Sequence, residues 1–235
     1  MTDEAARLRD AARTFSTWEG LNAQLDDFCM RSLDPHLRPG SVLELGSADG
    51  RMTALLVERF GDVSIVEGMP DYVDQVRARF PQVTSYASLF EDFEPPRRYD
   101  NVLAAHVLEH VQDPVAILRR IATWLAPEGR VHVVVPNALS LHRLVGVRLG
   151  LLGSPTELHA DDRRIGHRRV YTPEALEADL SAAGLRALAR GGIFLKPLSN
   201  AQIESQWSRA LVEGYYEVGK QFPRHTAEIY VVCER

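Results

Sequence analysis

Two cysteines in 235 residues, Cys29 and Cys233, are too few and too far apart for a disulfide framework or a zinc ligand set, so free thiols are expected. Lysine is almost missing. Lys196 and Lys220 are the only two among 27 basic residues, an arginine bias better explained by a GC-rich genome than by binding. No leading apolar stretch offers a signal or membrane segment, so the expectation is a cytoplasmic chain without a membrane partner. Excess positive charge is also lacking. At a formal net charge of −5 there is no basis for a phosphate-tracking surface, and Arg163-Arg164 and Arg168-Arg169 remain local anion contacts at most. Nucleic acid is therefore not expected as a substrate.

What is present supports one substantial core. A 45% hydrophobic content with evenly spread charge predicts a single domain with appendages. The most informative stretch runs from Val42 to Gly50, Val-Leu-Glu-Leu-Gly-Ser-Ala-Asp-Gly, a short buried strand entering a glycine-framed turn. Met52, Leu55, Leu56 and Phe60 follow at helical spacing, so the turn opens a helix whose N-terminus faces a ligand. Gly46 and Gly50 permit close backbone approach, and Glu44 offers an acceptor to a bound cation. Glu67 closes the next apolar strand, 21 residues beyond Gly46 and close to the ~20-residue interval at which nucleotide-binding α/β folds place a ribose-binding acid.

Strands and helices alternate from Ser41 onward. Runs at Val42 to Leu45, Val63 to Glu67, Val83 to Tyr86, Asn101 to Ala105 and Val131 to Val135 are of the buried parallel type. Asp113-Pro114 and Thr172-Pro173 each supply an N-cap followed by proline at the first helical position. Gly184 ends the second of these helices. The alternation predicts a Rossmann-like, doubly wound α/β sheet with its ligands above the C-terminal strand ends. Residues 1–40 form a helical cap on the same domain, with Phe15, Trp18, Leu21, Leu25 and Phe28 along one face, either packed on the core or closing over the site. Residues 41–235 are the main domain and 137–171 an insertion after the fifth strand. In the last third, Leu185 to Phe194 and Thr226 to Cys233 look like strands, separated by one helix carrying Ile203, Trp207 and Leu211.

The turn, written Glu44-x-Gly46-x-Ala48-x-Gly50, resembles the first motif of class I S-adenosylmethionine-dependent methyltransferases, with Ala48 in place of the usual middle glycine. Leu108-Glu109-His110-Val111-Gln112-Asp113-Pro114 resembles the segment that follows the fourth strand in small-molecule members of that family. The Asp/Asn-Pro-Pro-aromatic box of DNA amino-methyltransferases is absent. The resemblance implies a mostly parallel seven-stranded sheet with one antiparallel strand near the C-terminus. It implies S-adenosylmethionine as cofactor, with Glu44, Gly46, Ser47 and Gly50 at its methionine half and Glu67 on its ribose. Gly68, Met69, Ser88 and Leu89 would lie around adenine, and Ala105 and His106 beside the reacting methyl.

His106 ends the fourth strand and could remove a proton or orient the nucleophile. His167, in Gly166-His167-Arg168-Arg169-Val170-Tyr171, is the second proton-handling candidate, because that run resembles a segment of carbohydrate- and natural-product-associated methyltransferases. Trp18, His110, Asn137 and Tyr171 are candidate acceptor contacts. Imidazoles and carboxylates at His159, Asp161, Asp162 and His167 permit a divalent metal, but their spacing matches no recognised motif and no metal is expected. His36, His132 and His225 read as structural or surface residues. The expected activity is methyl transfer to oxygen or nitrogen of a small sugar-bearing or natural-product-like metabolite. The competing readings are a nucleotide-dependent oxidoreductase, which lacks its Gly-x-Gly-x-x-Gly fingerprint here, and a cofactor-binding scaffold. Oligomeric state is open, a homodimer included.

Overall fold

The computed structural model describes residues 18–235, and Phe15 of the N-terminal stripe lies outside them. The apolar runs assemble into one seven-stranded sheet. Its strands are β1 (Ser41–Leu45), β2 (Asp62–Glu67), β3 (Thr84–Ala87), β4 (Tyr99–Ala105), β5 (Leu125–Pro136), β6 (Arg186–Ile193) and β7 (Glu228–Glu234). Their order is β3-β2-β1-β4-β5-β7-β6. The pairs among β1 to β5 are parallel, while β7 runs antiparallel to both β5 and β6. This is the doubly wound sheet with one reversed strand that the sequence predicts.

Both faces of the sheet are covered, which is why its central strands are apolar throughout rather than alternating. Val42 joins Leu56, Ile65 and Leu103 in one core, whereas Leu43 and Leu45 join Val102, Val133 and Ile117 in the other. The helices on these faces are α1 (Gly20–Leu33), α2 (Arg51–Arg59), α3 (Pro70–Arg79), α4 (Pro114–Trp124), α5 (Leu141–Arg148), α6 (Ala160–Arg164), α7 (Pro173–Ala182), α8 (Asn200–Gln206) and α9 (Arg209–Gly219). Both expected caps form: the Asp113 carboxylate accepts the Ala116 N–H at 2.9 Å, and the Thr172 hydroxyl accepts that of Ala175 at 3.1 Å. The apolar stripe of α4, Ile117, Leu118 and Ile121, is fully buried, so a cavity made by Leu118→Ala costs about 2–5 kcal/mol.

Packing decides the role of the N-terminal stripe. Leu21 and Phe28 are buried, and the Phe28 ring stacks on Tyr216 of α9 with centroids 4.2 Å apart, so α1 belongs to the core. The single helix expected over Ile203, Trp207 and Leu211 is instead two. Trp207 leaves α8 in an extended conformation, and the Ser208 hydroxyl accepts the Leu211 N–H at 3.2 Å to start α9. A capping serine outweighs the four-residue spacing here. No helix among the described residues is long and apolar enough to cross a membrane. Both cysteines are buried and free.

Strand order fixes where a ligand can sit. β1 lies between β2 and β4, and the chain reverses its direction of sheet growth there, opening a crevice above the three C-terminal ends. Gly46, Gly68 and His106 are the first residues beyond those ends.

Candidate active site

The turn after β1 is held by its backbone. Gly46 donates to the Val66 carbonyl at 2.9 Å and Gly50 to that of Ser47 at 2.8 Å. Gly46 has φ 72°, Gly50 85° and Ala48 44°, so the turn visits the left-handed region three times. Glycine adopts this region freely, whereas Ala48 does so with strain. A side-chain carbon built on Gly46 would enter the space bounded by Phe90 and Val107, at 3.6 and 3.7 Å, so the position is open rather than filled by protein. The Ser47 hydroxyl is buried and makes no hydrogen bond.

Glu67 joins the ends of β1 and β2. One carboxylate oxygen accepts the Met69 N–H at 2.8 Å and the other the Ala48 N–H at 3.2 Å. Burial raises its pKa, and the amides of Met69, Ala48 and Gly68 oppose that rise by stabilising the anion. Ser88 donates its N–H to the Glu67 carbonyl at 3.0 Å, bringing the turn after β3 against the same strand end. Leu89 follows it, and the Ser88 hydroxyl donates to the Leu89 carbonyl at 3.0 Å.

Glu44 shares the face of β1 that carries Val42, and it accepts the Thr53 hydroxyl of α2 at 2.6 Å. Burial pushes its pKa up to about 8 against the Thr53 bond, and Asp26 and Glu67 push it further. Asp26, on α1, is raised to about 7 by burial, with Glu228 and Asp49 adding to the rise and His106 and Arg51 opposing it. Carboxylates that raise one another's pKa form a field that favours a cation. The sequence did not disclose the burial of Asp26, since an aspartate on an amphipathic helix reads as a solvated one.

At the end of β4, His106 adopts φ 55°, a left-handed conformation that costs a non-glycine residue and clusters at functional sites. Its Nδ1 lies 3.2 Å from Glu109 Oε1 and its Nε2 3.5 Å from Glu228 Oε1. Burial disfavours the charged ring, but the carboxylates of Glu228 and Glu109 outweigh it and hold the His106 pKa well above its ordinary value. His106 thus sits between two carboxylates, one of them Glu228 of β7, which comes from a distant part of the chain.

The insertion docks beneath this turn. Arg168 donates its N–H to the Glu109 carbonyl at 2.7 Å and its Nε to the His110 carbonyl at 2.9 Å. Arg169 Nη1 reaches the carbonyls of Leu108 and Val111, both at 2.6 Å. Arg168 and Arg169, two of the four arginines read as anion contacts, thus bind backbone. They carry His167 against His110, ring centroids 4.8 Å apart. Of His159, Asp161, Asp162 and His167, the structure keeps His159 and His167 on either side of Asp162, at 3.6 and 3.4 Å, and turns Asp161 away. His159 Nδ1 caps α6, Asp161 pairs with Arg164, and Asp162 accepts from Arg143 Nη1 at 3.0 Å. Instead Glu109, His110 and His167 offer ligand atoms within 4.8 Å of one another.

Three expected acceptor contacts are occupied elsewhere. Asn137 is buried, its amide donates to the Arg224 and Thr226 carbonyls at 3.0 and 2.9 Å, and its oxygen accepts the Leu139 N–H. Tyr171 is buried with its hydroxyl on Asp179 at 2.9 Å. Trp18 Nε1 donates to the Asp49 carbonyl at 3.0 Å, and its ring lies under the guanidinium groups of Arg79 and Arg51, so it braces the glycine turn. Of the four, His110 alone stays beside the β4 end. Burial lowers its pKa to about 4, with Glu109 opposing.

The sheet order, the left-handed turn after β1 and the buried acid that closes β2 together fit the class of S-adenosylmethionine-dependent methyltransferases. A family model described as a methyltransferase domain matches residues 17–190, and the chain belongs to that family. Among relatives, a ubiquinone biosynthesis O-methyltransferase of Aeromonas salmonicida (strain A449) is 34% identical over 110 residues, 46% of this chain and 44% of that one. A trans-aconitate 2-methyltransferase of Rhodopseudomonas palustris (strain HaA2) is 33% identical over 105 residues, 44% of this chain and 41% of that one. These matches thus span less than half the length of either relative. In structure, the N-methyltransferase NodS of Bradyrhizobium japonicum WM9, in complex with S-adenosyl-L-homocysteine, superposes with a TM-score of 0.63 at 14% identity, covering 99% of this chain and 98% of that one. At that identity the match speaks for the fold. The residues present also fit the cofactor of the class: an open position at Gly46, an unbonded buried hydroxyl at Ser47 and a field of acids for a cation.

Proposed function

We propose that the chain transfers the sulfonium methyl of S-adenosylmethionine to an oxygen or nitrogen of a small metabolite, of sugar-bearing or natural-product type, by in-line displacement. The observation that carries the reading is Glu67, whose two oxygens hold the turn after β1 and the turn after β2 together at the mouth of the crevice. In this reading Glu67 accepts from the ribose hydroxyls, Gly46 to Gly50 hold the methionine half, and Gly68, Met69, Ser88 and Leu89 border adenine. Ala105 and His106 form the wall on the β4 side. The relatives' printed O-methyltransferase activity supports an oxygen acceptor.

The cofactor supplies a methyl already activated by positive sulfur. What remains for the protein is alignment, which contributes on the order of 7–11 kcal/mol for a well-oriented pair. Asp26 and Glu44 would complement the positive charge of the bound cofactor, and His106, fixed between Glu109 and Glu228, would shape the acceptor side of the crevice. The test is release of S-adenosylhomocysteine from the chain supplied with S-adenosylmethionine and a panel of hydroxylated, carboxylated and amino-bearing small molecules. Acceptor-dependent release is expected; bound cofactor with no release across the panel would count against methyl transfer.

A further inference from the structure

We propose that Glu109, His110 and His167 form a binding site for one first-row divalent cation beside the end of β4, with open coordination positions for the acceptor. Two imidazoles and one carboxylate are a donor set suited to Mn²⁺, Fe²⁺, Co²⁺ or Zn²⁺, and three protein ligands leave room for exogenous oxygen. The three ligand atoms lie within 4.8 Å of one another, so rotation of the side chains brings them into the range set by metal bonds of about 2.0–2.2 Å.

An independent observation points to a missing ligand. Glu109 is fully buried, and although its Oε1 meets His106, its Oε2 has no hydrogen-bond partner. An unsatisfied buried carboxylate oxygen is costly and calls for an ion or water. Behind the His167 ring, Nδ1 lies 3.4 Å from Asp162 Oδ1. A carboxylate behind an imidazole is a usual support for a metal-binding histidine, and Asp162 is itself fixed by Arg143. His110 is oriented in the same manner by a hydrogen bond to the Gly166 backbone. Arg168 and Arg169 lock the two ligand-bearing segments together through the carbonyls of residues 108 to 112.

The site's use in catalysis rests on the methyl-transfer reading; its affinity for a cation does not. A hydroxyl bound to the cation would lose its proton to solvent more readily, and its oxygen lone pair would then form the bond to the methyl carbon. The carbon–sulfur bond breaks with its electron pair retained on sulfur. The products are the methyl ether, neutral S-adenosylhomocysteine and the released proton.

The experiment is a titration of Co²⁺ into the full chain after chelator dialysis, read by calorimetry and visible d–d absorption, with S-adenosylhomocysteine binding measured on the same samples. One Co²⁺ per chain is expected, weakened at least tenfold in His167→Ala and in Glu109→Gln, and unchanged in His159→Ala. Circular dichroism confirms that each variant is folded, and His110→Asn replaces any that is not. A wild-type chain that binds S-adenosylhomocysteine but no Co²⁺ would overturn the cation site and leave the methyltransferase reading standing. Equal Co²⁺ binding by wild type and both ligand variants would also overturn it. Co²⁺ binding lost in the variants, in a chain that ignores S-adenosylhomocysteine, would uphold the cation site and remove the cofactor reading.

Discussion

Glu67 Oε2 accepts the backbone N–H of Ala48 at 3.2 Å, so the acid that closes β2 also fixes the turn that leaves β1. The two features that suggest a cofactor are therefore one mechanical unit. The carboxylate needs no side-chain cation to settle there, because the Met69 N–H meets its other oxygen.

Replacing this carboxylate should weaken cofactor binding. Glu67→Ala removes a charged acceptor from the ribose, and about 1.5–3 kcal/mol of binding free energy should be lost. Calorimetry with S-adenosylhomocysteine measures it, and unchanged affinity would take Glu67 out of the site.

Ala48 sits at φ 44° where the family motif has glycine. Ala48→Gly should relieve strain of about 1 kcal/mol and raise the melting temperature by about 2–4 °C, if the unfolded-state entropy of glycine does not cancel it. A lower melting temperature would show that the left-handed alanine carries no net strain.

Glu44 gives a pH dependence with a definite sign. Its folded pKa is about 8 and its ordinary value 4.5, so between those values the folded state binds the proton more tightly than the unfolded state. Stability of the ligand-free protein from this group is full below about pH 4.5 and is lost as pH rises toward 8. Thr53 of α2, Asp26 of α1 and Glu67 of β2 are the groups that face it. Glu44→Gln should flatten the decline in melting temperature between pH 5 and 8, and an unaltered slope would contradict the assignment.

Tyr171 tests the correction to the acceptor contacts. Tyr171→Phe removes the bond to Asp179 and should cost about 0.5–1.5 kcal/mol of stability, seen by denaturant titration. Turnover should not change. A loss of turnover in a fully folded variant would return Tyr171 to the substrate.

The fold was legible in the sequence wherever a single segment carried its own signal. Val42 to Gly50 announced both strand and turn, and Asp113-Pro114 and Thr172-Pro173 announced helix starts, because caps and turns are local physics. Relations between distant segments were not legible. Glu228 reaches His106 only because β7 lies beside β5, and Asp26 reaches Glu44 only because α1 packs on the face that Val42 shares. For the same reason Tyr171 and Asn137 read as acceptor contacts, although they pair with each other in a bridge and both are buried. Sequence proximity groups His167 with His159, Asp161 and Asp162. The arginines that follow it turn it toward Glu109 and His110 instead.

The most direct test of the cofactor cradle is calorimetric titration of S-adenosylhomocysteine into the wild-type chain and into Gly46→Val. A branched side chain at Gly46 would fill the open position bounded by Phe90 and Val107, so saturable one-to-one binding is predicted for wild type and none for the folded variant. Absence of binding to wild type, or equal binding to a folded Gly46→Val, would contradict the account.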